Sequence, residues 1–107
     1  MHDSRFDYVI VGAGSAGCVL AARLTEDPHV RVLLVEAGPQ DRSWRIAMPS
    51  AVGSLLASDR FNWNYVSDPE PFLDGRRLTH PRGRVMGGSS SINGMVYICG
   101  HALDYDA

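Results

Sequence analysis

Lysine is missing altogether: all ten basic residues of this chain are arginine, a bias that genomic base composition alone can produce and that carries no function. An excess of either charge is also missing. With a net charge of −2 and a pI near 6.0, there is no basic surplus to hold a polyanion, which argues against nucleic acid as a principal partner. Only two cysteines occur, Cys18 and Cys99. That is too few for a disulfide framework, and without secretory context they read as free thiols in a reducing compartment. Zinc-ligand spacing is absent, because His2, His29, His80 and His101 are scattered singly, so no metal site is expected. Met1 to Arg5 is too short for a signal peptide, and no apolar run approaches membrane-spanning length. The expected location is cytoplasmic, with peripheral attachment to a membrane left open. Repeats and low-complexity tracts are lacking too. What remains is 107 residues of ordinary hydrophobic content, 45%, enough for one small globular unit.

Asp7 to Glu36 organises the rest. Tyr8 to Val11 is an apolar, β-branched run, the kind of strand that is buried on both faces of a parallel sheet. It enters Gly12-Ala13-Gly14-Ser15-Ala16-Gly17, a G-x-G-x-x-G loop, and a helical pattern follows from Cys18 to Leu24. The pattern stops near Asp27-Pro28, where proline breaks a helix. Val32 to Val35 is a second buried strand, closed by Glu36. Strand, loop, helix, strand and acid in register predict a Rossmann-like β-α-β dinucleotide site.

Each glycine has a separate task there. Gly12 allows the tight turn, Gly14 leaves a pyrophosphate room to reach the backbone, and Gly17 lets the helix pack against the sheet. The helix N-terminus then offers free N–H groups and partial positive charge to phosphates. Glu36 lies 19 residues beyond Gly17, where a carboxylate can accept hydrogen bonds from adenosine ribose hydroxyls. The same carboxylate repels a 2′-phosphate, which disfavours NADP.

Beyond Glu36, Ala37 to Asp41 reads as a turn and Trp44 to Met48 as irregular chain. A short helix is expected over Ala51 to Ala57, with Ser50 as its cap. Asn62 to Val66 alternates like a strand. Asp74-Gly75 is a tight-turn pair, and Arg76 to Thr79 is expected to return antiparallel. A second glycine- and serine-rich stretch runs from Pro81 to Gly94, leading toward a helix. From composition it is either a flexible loop or a second cofactor contact. In the second case paired glycines bring backbone N–H groups to a ligand, serines and Asn93 supply neutral partners, and Arg82 and Arg84 add positive charge.

GAGSAG followed by LVEAG, then NWNY, then GRVMGGSSSINGMVYICG, resembles the N-terminal part of the glucose–methanol–choline (GMC) family of FAD-dependent oxidoreductases. TEDPHVRVLLVEAGPQD and NWNYVSDPEPF bring it nearest to the choline-oxidising members, and the resemblance covers essentially the whole chain. It implies that residues 1–107 are an incomplete N-terminal FAD-binding domain without the substrate domain. The family's catalytic histidine and its partner lie far downstream, so no catalytic residue is assigned to this chain. By resemblance, Gly12, Gly14, Ser15, Ala16 and Gly17 cradle the FAD pyrophosphate, Glu36 holds the ribose and Trp63 lies near the cofactor. Val85, Gly88, Asn93, Gly94 and Val96 line the flavin side through their backbones. Some relatives bond a histidine covalently to the flavin. The matching residue here is Ile92, a hydrocarbon, so noncovalent FAD is implied. Cys99 stands where similar sequences have arginine in a Tyr-Ile-Arg-Gly run, which removes a charge from that turn.

The implied activity of the intact enzyme is oxidation of a small alcohol, with hydride passing to flavin N5. Electrons then leave to a quinone or respiratory acceptor, or to oxygen. Two other readings stay open: an NAD-dependent dehydrogenase, which the first motif alone permits, and a nucleotide-binding module without redox chemistry. The identity of the alcohol and the oligomeric state are not legible. One crossover helix over two parallel strands buries little, so the isolated chain is expected to fold poorly or to bind FAD weakly.

Overall fold

The structure is a computed structural model that describes residues 5–106; His2, one of the scattered histidines, lies outside them. Strands β1 (Tyr8–Val11) and β2 (Val32–Val35) pair in parallel with Tyr8 opposite Val32 and Val11 opposite Val35. The start of the pair is clamped at its backbone: Asp7 N–H donates to the Arg31 carbonyl at 2.8 Å, and Arg31 N–H donates to the Asp7 carboxylate at 2.7 Å. Between the strands runs helix α1 (Ser15–Leu24). Its alanines, leucines and arginine are good helix formers. The Thr25 hydroxyl donates back to the Ala21 carbonyl at 2.8 Å and helps close the last turn, before Asp27-Pro28 is reached.

The β-α-β unit therefore forms where the sequence puts it, with α1 starting three residues earlier than the apolar pattern does. Burial of the strands differs from expectation. Val9 is 60% exposed and Val11 is 85% exposed. The sheet has two strands and packs on one helix, so the other face has no covering layer among the described residues. A run of valines records a capacity for burial, which further layers must fulfil.

Residues 42–57 form more helix than expected. Trp44–Ala47 is a short helix, α2, whose N-cap is Ser43: its hydroxyl oxygen accepts from Arg45 N–H at 3.3 Å. Ser50 caps nothing; it lies inside a 3₁₀ turn over Pro49–Ala51 that runs into α3 (Val52–Leu56). Proline at the first position starts that turn without a side-chain cap, because it has no N–H to satisfy.

The expected antiparallel arm is present but short, β3 (Tyr65–Val66) against β4 (Thr79–His80). Bridges at Asn62–Gly83 and Glu70–Arg76 extend it at both ends. Asp74 and Gly75 take φ of 55° and 71°, the left-handed conformation that a tight turn demands of both central residues. The second glycine-rich stretch ends in a single 3₁₀ turn, Gly88–Ser91, in place of a longer helix.

The buried apolar cluster lies outside the β-α-β unit. Leu55, Phe61, Val85 and Ile92 form it, and Ile46 packs against it. This cluster joins α2, α3 and the second glycine-rich stretch.

Candidate cofactor-binding cleft

The two glycine motifs meet. Gly87 N–H donates to the Ala13 carbonyl at 2.7 Å, and a Cβ built on Gly88 would come within 2.8 Å of Gly14 Cα. Gly88 also has φ of 61°, so both its backbone conformation and its neighbour exclude a side chain. Around this junction lies a cleft of about 550 Å³. Gly12 and Gly14 form its floor, Val35, Glu36 and Ala37 one wall, and Trp63, Tyr65, Arg82, Gly83, Gly88 and Ser89 the other. Its size falls within the range of small-molecule sites, about 300–1,000 Å³.

Local geometry explains the floor. Gly12 turns out of β1 at φ 99°, and its N–H donates to the Val35 carbonyl at 2.7 Å, which ends the ladder. A Cβ on Gly17 would overlap the Gly12 carbonyl oxygen, so the helix seats on the loop only because that atom is missing. Gly14 is different: a Cβ there meets nothing within 4 Å. Its lack of a side chain serves no protein contact and leaves open space beside the start of α1. No side chain caps that helix, and its first turn contains no acidic residue. The leading N–H groups of a helix have no partner within it, so this end is suited to an anion.

Glu36 ties the walls together. One carboxylate oxygen accepts from Ala13 N–H at 2.7 Å and the other from Gly38 N–H at 2.9 Å. A carboxylate has about four acceptor positions. Two are committed to bracing the loops, and the others are available to hydroxyl donors in the cleft.

The opposite wall is aromatic and cationic. Trp63 and Tyr65 stack with ring centroids 6.1 Å apart and planes 5° from parallel. Arg84 lies over Trp63 at 5.2 Å, and its guanidinium also donates to the Asp59 carbonyl. Asn62, almost fully buried, fixes this wall. Its amide donates to the Leu56 carbonyl at 2.8 Å, and its oxygen accepts from Asn64 N–H at 3.0 Å and Arg82 N–H at 2.8 Å.

Of the expected site residues, Gly12, Gly14, Glu36, Trp63 and Gly88 line the cleft. Ser15 and Ala16 open the helix beside it, and Gly17 supports the loop from behind. Val85 is fully buried in the apolar cluster, with its carbonyl accepting from Gly88 N–H at 2.7 Å. Ile92 is in the same cluster. Asn93 lines a separate groove of about 130 Å³ with Ser90, Met48 and Met95. Its oxygen accepts from Met95 N–H at 2.7 Å. Gly94 is exposed and Val96 is 76% exposed; neither lines the cleft. Tyr65 was not among the expected residues. Its signal is the aromatic pair Trp63 and Tyr65 two residues apart, which stack on each other although Asn64 between them, at φ 49°, interrupts the strand.

Residues 6–107 match the GMC oxidoreductase family. The chain belongs to that family. It is 58% identical over 108 residues to mitochondrial choline dehydrogenase of Mus musculus, an alignment that covers 94% of this chain and 18% of that protein. Against the oxygen-dependent choline dehydrogenase of Vibrio vulnificus it is 58% identical over 101 residues, covering 94% of the chain and 18% of the relative. Among solved structures, pyridoxine 4-oxidase from Mesorbium loti superposes with a TM-score of 0.84 at 43% identity, over 95% of this chain and 20% of that one. A formate oxidase follows at TM-score 0.80 and 38% identity, over 94% of this chain and 18% of that one. The chain thus spans under a fifth of the curated GMC relatives it matches. The Rossmann-like β-α-β unit is the fold these GMC structures share with it.

Proposed function

We propose that residues 1–107 form the N-terminal FAD-binding part of a flavin-dependent oxidoreductase acting on the CH–OH group of a small alcohol, of the choline dehydrogenase type. The observation that supports it most is the junction at Gly14 and Gly88, where two glycine motifs from opposite ends of the chain form one cleft. An NAD enzyme needs the first motif only. A second motif packed on it suits a longer dinucleotide that carries a flavin at its far end.

The residues present fit FAD. Gly14 gives the pyrophosphate room at the uncapped start of α1, where Ser15 and Ala16 offer leading N–H groups. Glu36 accepts hydrogen bonds from ribose hydroxyls with the acceptor positions its two backbone donors leave open. Trp63 and Tyr65 supply a flat apolar wall, and Arg82 supplies positive charge. On the flavin side the reading assigns Gly88, with the backbones of Val85, Asn93, Gly94 and Val96. When bound, FAD supplies a two-electron acceptor for the alcohol's carbinol carbon. No residue of this chain is assigned as acid or base. Attachment is noncovalent, because Ile92 offers no nucleophile and its side chain lies in the apolar cluster.

For the intact protein, the reading includes oxygen or a quinone-type acceptor and a cytoplasmic setting with peripheral membrane association left open. No helix among the described residues is long and apolar enough to cross a membrane. Titration of the purified chain with FAD, followed by quenching of flavin fluorescence, tests the binding half of this reading. Saturable binding that NAD does not displace is expected. Preference for NAD would overturn it.

A further inference from the structure

A second cleft adjoins Phe61. It measures about 430 Å³ and is lined by Pro39, Gln40, Arg42, Ser43, Trp44, Arg45, Arg60 and Phe61. Three of these are arginines and none is acidic, in a chain whose net charge is −2. None of the three guanidiniums makes a hydrogen bond or an ion pair among the described residues. Two of them rest on rings instead, Arg45 over Trp44 at 5.7 Å and Arg60 over Phe61 at 5.2 Å. A guanidinium lying on a ring keeps its N–H edge free to bind a planar or tetrahedral oxyanion through paired hydrogen bonds. Trp44, 64% exposed, lines the same cleft.

We propose that this cleft binds a small organic phosphate, with the phosphate between Arg42, Arg45 and Arg60 and the organic part against Trp44. The cleft volume exceeds that of a bare phosphate ion, which leaves room for the organic part. Cleft and cofactor site share no lining residue, so the proposal stands independently of the FAD reading.

The test is calorimetric titration of the full chain, saturated with FAD, with phenyl phosphate and separately with inorganic phosphate at constant ionic strength. Saturable binding at one site is expected, tighter for phenyl phosphate than for phosphate. Arg45→Gln and the double variant Arg42→Gln/Arg60→Gln should each weaken it by about tenfold or more, as loss of a charge-assisted hydrogen bond does. Their circular dichroism should stay unchanged, since these side chains hold no other part of the chain. Trp44→Ala should remove the preference for phenyl phosphate, and Arg23→Gln, on the exposed face of α1 and outside both clefts, should change nothing. Absence of saturable binding, or binding insensitive to the three arginines, would overturn the proposal. So would release of FAD by the probe, because the probe would then occupy the cofactor cleft. Equal affinity for the two probes would overturn the organic part of the ligand.

Discussion

A methyl group added at Gly14 meets no protein atom, whereas one added three residues later at Gly17 strikes the Gly12 carbonyl. The two substitutions should therefore separate binding from folding. Gly14→Ala should leave the thermal midpoint unchanged, because its φ of −75° suits any residue, and weaken FAD binding by at least about tenfold. Gly17→Ala should cost about 1–3 kcal/mol of stability through overpacking, measured by thermal melting without cofactor. If both variants lose stability equally, Gly14 has a packing role that its surroundings do not show. Glu36→Gln offers a third contrast. It replaces an acceptor-only group between two backbone N–H donors with one that presents its own N–H₂ to one of them. A cost of about 1–3 kcal/mol is expected in the cofactor-free chain, visible as a lower melting temperature. The turn at Gly12, the close packing at Gly17 and the position of Glu36 were legible in the sequence because spacing within one β-α-β unit is nearly rigid. The bracing bonds of Glu36 were not, since Gly38 lies in a turn whose path no periodicity specifies.

Elements show the same division. β1, α1 and β2 were legible because apolar pattern, glycine turn and proline stop agree over a long segment. The helix Trp44–Ala47 was not, because four residues carry too little periodicity to distinguish them from a loop. Ser43 and Ser50 are equally good caps by type, and only the position of Pro49 decides between them. In the antiparallel arm, Asp74-Gly75 gave the turn, but Tyr65 joined the cleft wall through pairing that the strand pattern only hinted at. Asn62 holds that arm to α3 and to Arg82 with three hydrogen bonds made in near-complete burial. Asn62→Ala leaves those groups without partners and should destabilise the chain by about 2–3 kcal/mol. Denaturant melts of this variant should show a lower midpoint with little change in slope. An unchanged midpoint would mean that water replaces the amide without cost.

Taken as a whole, the molecule is spread out. Its radius of gyration is 18.1 Å, against roughly 13 Å for a compact domain of about 100 residues. The second glycine motif meets the first through the bond from Gly87 N–H to the Ala13 carbonyl and the close pass of Gly88 on Gly14. The cluster of Leu55, Phe61, Val85 and Ile92 ties its flank to α3. Large apolar side chains remain open to solvent, among them Val11 on the sheet and Tyr97 and Ile98 beyond the second motif. The sheet edges are unpaired among the described residues as well, which favours association between copies at high concentration. Limited proteolysis should cut first within residues 97–106, where every side chain is exposed, and FAD should slow cleavage at the two glycine motifs but not there. Uniform protection of all segments without cofactor would contradict this picture. The incomplete core was legible from the element count, but the long-range junction was not, because nothing local in Gly14 or Gly88 names the other.

The most direct measurement is a flavin absorbance spectrum of the purified chain at equilibrium dialysis against FAD, and again after acid precipitation. A weak but saturable excess of flavin on the protein side is expected, with its full release into the acid supernatant. A folded chain that takes up no flavin at any concentration would contradict the cleft between the two glycine motifs as an FAD site. Flavin that stays with the precipitate would contradict noncovalent attachment.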